Sequence, residues 1–150
     1  MQVRFNWDES AGSSRALTGS LHPLRGLVTA GISIVDDDES IRDATKTLLR
    51  SGGYEVETFA SAELFLESGA LQGTQCLILD IRMPGMGGLE LQGLFNPGES
   101  RIPIIFVTTH DAPWNRRKAL EAGAVNVFPK PFKADALVEA VRSAMRPAEA

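Results

Sequence analysis

Asp36-Asp37-Asp38, Asp80, Thr108-Thr109 and Lys130-Pro131 are the places along this chain where carboxylates, hydroxyls and an ammonium could act together. Carboxylates brought close repel one another unless a cation lies between them, and hard oxygen ligands with octahedral preference suit Mg²⁺. A metal held by carboxylates, with a lysine and a hydroxyl opposite, is a recurring arrangement for phosphoryl transfer, where positioning and charge neutralisation do most of the catalysis. A carboxylate can itself take a phosphoryl group as an acyl phosphate, which makes Asp80 the candidate nucleophile. Taken singly each residue is ordinary. Asp38 with Glu39, for instance, reads as the N-cap and first-turn charge of a following helix. The chemistry needs a fold that gathers them.

Each of these residues terminates or follows an apolar run. The runs Ile32 to Val35, Tyr54 to Thr58, Cys76 to Ile81, Ile102 to Thr108 and Val125 to Phe128 predict five strands, mostly continuous rather than alternating, hence buried on both faces of a parallel sheet. Between the first two, Ile41, Ala44 or Thr45, and Leu48 recur at helical spacing from Glu39 to Ser51, with Arg42, Asp43, Lys46 and Arg50 outward and Gly52-Gly53 as the stop. Ser61 is an N-cap for a short helix through Leu64 and Phe65, Pro113 opens a helix ending near Gly123, and Ala134, Leu137, Val138, Val141 and Met145 form the stripe of a last helix from Lys133 to Met145. Strand-then-helix units in series predict a doubly wound α/β sandwich. In such a sheet ligands bind beyond the carboxyl ends of the strands, where all the candidate residues fall.

Length and composition agree with one domain. A chain of 150 residues supports one buried core, and a net charge of −4 supplies no broad basic field, which argues against nucleic-acid or anionic-membrane binding. Cys76, the sole cysteine, lies in an apolar run and reads as a small buried hydrophobe. No apolar span has membrane length and the start has no signal-peptide pattern, so a cytoplasmic location is expected. Residues 1–30 lack a sustained period and are expected to be a flexible extension, with 147–150 as a tail. The chain stops soon after its last helix, which predicts no output domain.

The strings Ile34-Val35-Asp36-Asp37, Leu79-Asp80-Ile81-Arg82-Met83-Pro84-Gly85-Met86-Gly87-Gly88, Val107-Thr108 and Lys130-Pro131-Phe132 resemble response-regulator receiver domains of two-component systems, over residues 31–146, most of all the receivers of FixJ-type regulators. The resemblance implies a flavodoxin-like (CheY-like) three-layer sandwich with five parallel strands in the order 2-1-3-4-5. It implies that Asp37 and Asp80 ligate Mg²⁺ directly, that Arg82 adds its backbone carbonyl, and that Asp36 acts partly through water. Asp80 would be the phosphoacceptor, with Thr108 and Lys130 on the phosphoryl oxygens and a cis Lys130-Pro131 bond fixing the lysine. The implied partners are a histidine kinase or histidine phosphotransfer protein, a separate downstream protein, and a second copy meeting the fourth and fifth helix face. The expected function is a stand-alone phosphorelay signalling receiver, not an enzyme beyond its own phosphorylation and dephosphorylation.

Some positions depart from that pattern. The aromatic residue common three positions before the lysine is Val127, and alternation sends Phe128 to the opposite face. Gly87 should loosen the loop after Asp80. His110 and Arg82 flank the pocket and either tune water access or merely meet solvent; Trp114, Arg116, Arg117 and Lys118 are a solvated face or a docking surface; His22 has no helical context for a phosphodonor. Two other readings are a phosphohydrolase of the haloacid-dehalogenase type, whose order of elements differs from this one, and a degenerate receiver serving as a scaffold.

Overall fold

The computed structural model describes residues 31–95, 102–109 and 113–145. The expected extension over 1–30, the tail at 147–150, His22 and His110 lie outside them.

Apolar runs become strands wherever two faces must be covered. The described elements are β1 (Gly31–Val35), α1 (Glu39–Ser51), β2 (Glu55–Phe59), α2 (Ala62–Ser68) with a 3₁₀ turn at Ala70–Gly73, β3 (Cys76–Leu79), α3 (Gly88–Phe95), β4 (Ile104–Thr108), α4 (Pro113–Glu121), β5 (Asn126–Pro129) and α5 (Ala134–Met145). All strand pairs are parallel, in the order β2-β1-β3-β4-β5, the expected topology. Every residue of β3 and β4 is buried, which is what their unbroken apolar sequence requires, whereas β2, at an edge, alternates exposed and buried over its first residues.

The two sides of the sheet carry separate cores. Val35, Leu77, Leu79, Ile104, Phe106 and Val127 pack with Phe65 of α2, Leu91 of α3 and Ala119 of α4. Ile32, Ile34, Cys76, Ile78, Ile105 and Val107 pack with Leu49 of α1 and with Leu137 and Val141 of α5. Phe128 joins the second set and Val127 the first, so the alternation argument for Phe128 holds. Truncating one such residue, Ile78→Ala for example, costs about 2–5 kcal/mol by lost transfer energy and the cavity left. Cys76 is buried within this layer, and burial pushes its thiol up to about 12, in keeping with a packing role.

Local caps set where the helices begin and end. Asp38 Oδ1 accepts the Ile41 amide at 3.2 Å and Ser61 Oγ accepts the Leu64 amide at 3.1 Å. The α1 stop is closed by the Gly52 and Gly53 amides on the Leu49 and Arg50 carbonyls, with Gly53 at φ 97°. The buried stripe of α1 is Thr45 and Leu49, while Ala44 is exposed and Ile41 and Leu48 are half-buried. Arg42 departs from expectation. It does not point outward; its Nη1 donates to the Asp36 carbonyl at 2.7 Å, because a guanidinium one turn into α1 reaches the strand end that precedes the helix.

Candidate functional site

Sheet register alone brings the acidic residues together. Val35 pairs with Leu79, so Asp36 and Asp80, the next residues on β1 and β3, emerge side by side. Thr108 pairs with Pro129, which places Lys130 just past β5 at the same edge, where its amide donates to the Thr108 carbonyl at 2.9 Å. The Lys130-Pro131 bond is cis.

Across this edge the Lys130 ammonium lies 2.8 Å from Asp36 Oδ2 and 3.0 Å from Asp80 Oδ2, with all three side chains nearly inaccessible. Asp36 Oδ1 accepts the Asp38 amide at 2.9 Å, and Asp80 Oδ1 accepts the Arg82 amide at 3.3 Å. Burial pushes the Asp36 carboxyl above its ordinary 3.8, against the opposing pull of Lys130 and the Asp38 amide. Burial alone would lower Lys130, but hydrogen bonds to Asp36 and Asp80 outweigh it and hold the ammonium above 10.5. Thr108 is fully buried at the same edge.

Asp37 is exposed, yet it offers a carboxylate oxygen that lies, with oxygens of Asp36 and Asp80, in a set all within 4.8 Å of one another. Three carboxylates against one ammonium leave an excess of negative charge in a small space. Asp36 Oδ2 is buried, with Lys130 at 2.8 Å as its partner among the described residues. All-oxygen donors and surplus negative charge fit a hard divalent ion such as Mg²⁺.

The backbone below Asp80 is closed by glycines. Gly88 donates to the Ile81 carbonyl at 2.8 Å, and a Cβ on Gly88 would come within 2.1 Å of the Asp80 carbonyl oxygen and 3.0 Å of the Phe106 ring. Gly87, where a looser loop was expected, donates its amide to Glu90 Oε1 at 2.9 Å. The sequence reading took Arg42 for an outward helix-surface charge and gave Gly88 no packing role, although the Gly87-Gly88 pair is a signal of close backbone approach. Arg82 is exposed, and Trp114, also exposed, has the Lys118 ammonium 6.0 Å from its ring centre.

Among known proteins, the response regulator receiver domain family matches residues 32–142. The response regulator protein TodT of Pseudomonas putida F1 is 43% identical over 115 residues, 77% of this chain and 51% of TodT. The transcriptional regulatory protein FixJ of Bradyrhizobium diazoefficiens is 38% identical over 120 residues, 79% of this chain and 58% of FixJ. The solved structure of the response regulator StyR superimposes with a TM-score of 0.70 at 45% identity, covering 77% of this chain and 59% of StyR. The chain thus spans about half the length of the curated relatives it matches. No helix among the described residues is long and apolar enough to cross a membrane.

Proposed function

This chain belongs to the response regulator receiver family, the CheY-like signalling domains of two-component systems, and on that premise we propose that Asp80 is its phosphoacceptor. The observation that carries the reading is the shared ion pair: one buried ammonium, Lys130, set against both Asp36 and Asp80 at the carboxyl edge of the sheet. Receivers generally bind Mg²⁺ at an acidic pocket, and here Asp36, Asp37, Asp80 and the Arg82 carbonyl would hold it. When bound, the ion neutralises charge on the phosphoryl oxygens.

A carboxylate oxygen of Asp80 attacks the phosphorus of a phosphohistidine on a histidine kinase or phosphotransfer protein. The P–N bond breaks, and its electron pair returns to the imidazole. Lys130 pairs with one phosphoryl oxygen, and the Thr108 hydroxyl donates to another. Water later cleaves the acyl phosphate, so the only chemistry is the domain's own phosphorylation and dephosphorylation. The signal leaves by protein contact, to a downstream target or a second copy at the α4 and α5 faces. The net charge of −4 supports protein rather than nucleic acid as what the receiver itself touches.

Treatment with acetyl phosphate and Mg²⁺, read by intact mass, is expected to add one phosphoryl group to the unsubstituted protein and none to Asp80→Asn. Continued labelling of Asp80→Asn would remove Asp80 from this role.

A further inference from the structure

The loop between β3 and α3 carries the Arg82 peptide over Asp80, and its outer arm is tied to a different helix. Glu63, in the first turn of α2, accepts the Met86 amide on Oε2 at 2.9 Å. The carboxylate sits directly against Gly85, which lies at φ 77° and on which a Cβ would come within 2.6 Å of Glu63 Oε2. The left-handed φ at 85 favours glycine, and the Glu63 carboxylate lies beside it as acceptor for the next amide. On its inner side the loop is closed by the Gly88 amide on the Ile81 carbonyl and by the Arg82 amide on Asp80 Oδ1. Glu63, on an exposed face of α2, thus joins the far end of the segment whose near end shapes the site.

We infer that Glu63 is a positioning residue: by holding Met86 it sets the loop so that the Arg82 backbone and the Asp80 carboxylate are presented together to a divalent ion. The inference rests on the proposed reading of Asp80. Donation by Met86 also keeps the Glu63 carboxyl below its ordinary 4.5. A competing role exists on the same helix, since a negative charge in a first turn stabilises the helix end without touching the loop. Glutamine separates the two. It keeps the acceptor for Met86 and loses the charge.

The experiment uses the full chain, labelled by acetyl phosphate over a range of Mg²⁺ concentrations, with amide hydrogen exchange at Met86 followed alongside. Glu63→Ala is expected to raise the half-saturating Mg²⁺ concentration about threefold to tenfold, the worth of one net hydrogen bond. Its labelling rate at saturating Mg²⁺ should be retained and its Met86 exchange quickened, while Glu63→Gln stays near the unsubstituted protein in all three. Unchanged half-saturation in Glu63→Ala overturns the inference, as does Glu63→Gln behaving like Glu63→Ala. If the unsubstituted protein takes no label, the reading of Asp80 falls and the inference falls with it, whereas labelling that does not depend on Mg²⁺ overturns the inference alone.

Discussion

The acidic edge and the α4 flank of this molecule lie on the same sheet and are built on opposite terms. At the edge, Asp36, Asp80 and Thr108 are buried, and each carboxylate is held by a backbone amide and by Lys130. On the flank, Trp114, Leu120 and Val125 are 57%, 42% and 44% exposed. The edge is over-determined by register, glycine contacts and ion pairs. The flank turns apolar side chains to solvent while its backbone stays tied to the sheet, the Val125 amide donating to the Ile104 carbonyl at 2.8 Å.

The largest structural break in that contrast should come from Gly88→Ala. A methyl group would need space now filled by the Asp80 carbonyl oxygen and the Phe106 ring, with backbone on one side unable to yield. A loss of about 2–4 kcal/mol in chemical denaturation is expected. A loss below about 0.5 kcal/mol would show the edge to be more compliant than its contacts imply.

Lys130→Met tests the electrostatic half. It leaves Asp36 and Asp80 facing each other without their shared cation, and should cost about 2–3 kcal/mol in metal-free buffer, with much of that recovered on adding Mg²⁺. Because the folded ammonium titrates above 10.5, its contribution is complete below that pH and is lost as pH rises through the folded value. The difference between Lys130→Met and the unsubstituted protein should therefore shrink in strongly alkaline buffer. A difference independent of both Mg²⁺ and pH would mean that Lys130 serves packing alone.

The smallest effect belongs to the flank. Leu120→Ser removes exposed apolar surface and should change stability by less than about 0.5 kcal/mol in the same assay. A loss above about 1.5 kcal/mol would show the flank to be core rather than contact surface.

Most of the scaffold was legible from residue types. Unbroken apolar runs gave β3 and β4, and helical spacing with Asp38 and Gly52-Gly53 gave the span of α1, since caps and periodicity are local properties. Strand ends were less legible. Ile102 and Pro103 were expected in β4 and lie before it, and Tyr54 precedes β2, because ladder pairing rather than apolar character decides where a strand starts. The candidate set of Asp36, Asp37, Asp80, Thr108 and Lys130 was visible because these side chains stand at the carboxyl ends of apolar runs.

By itself the sequence nominated candidate residues for phosphoryl chemistry and determined which elements carry them and which family they resemble, because those follow from side-chain type, spacing and motif. Tertiary structure decided what no local pattern carries. It paired Val35 with Leu79 so that Asp36 meets Asp80, and it turned Arg42 back onto the Asp36 carbonyl. It also set Glu63 against Gly85 and Met86, the latter 23 residues away along the chain. These contacts join residues far apart along the backbone or reverse an expected direction, so only the packed sheet and its helices could specify them.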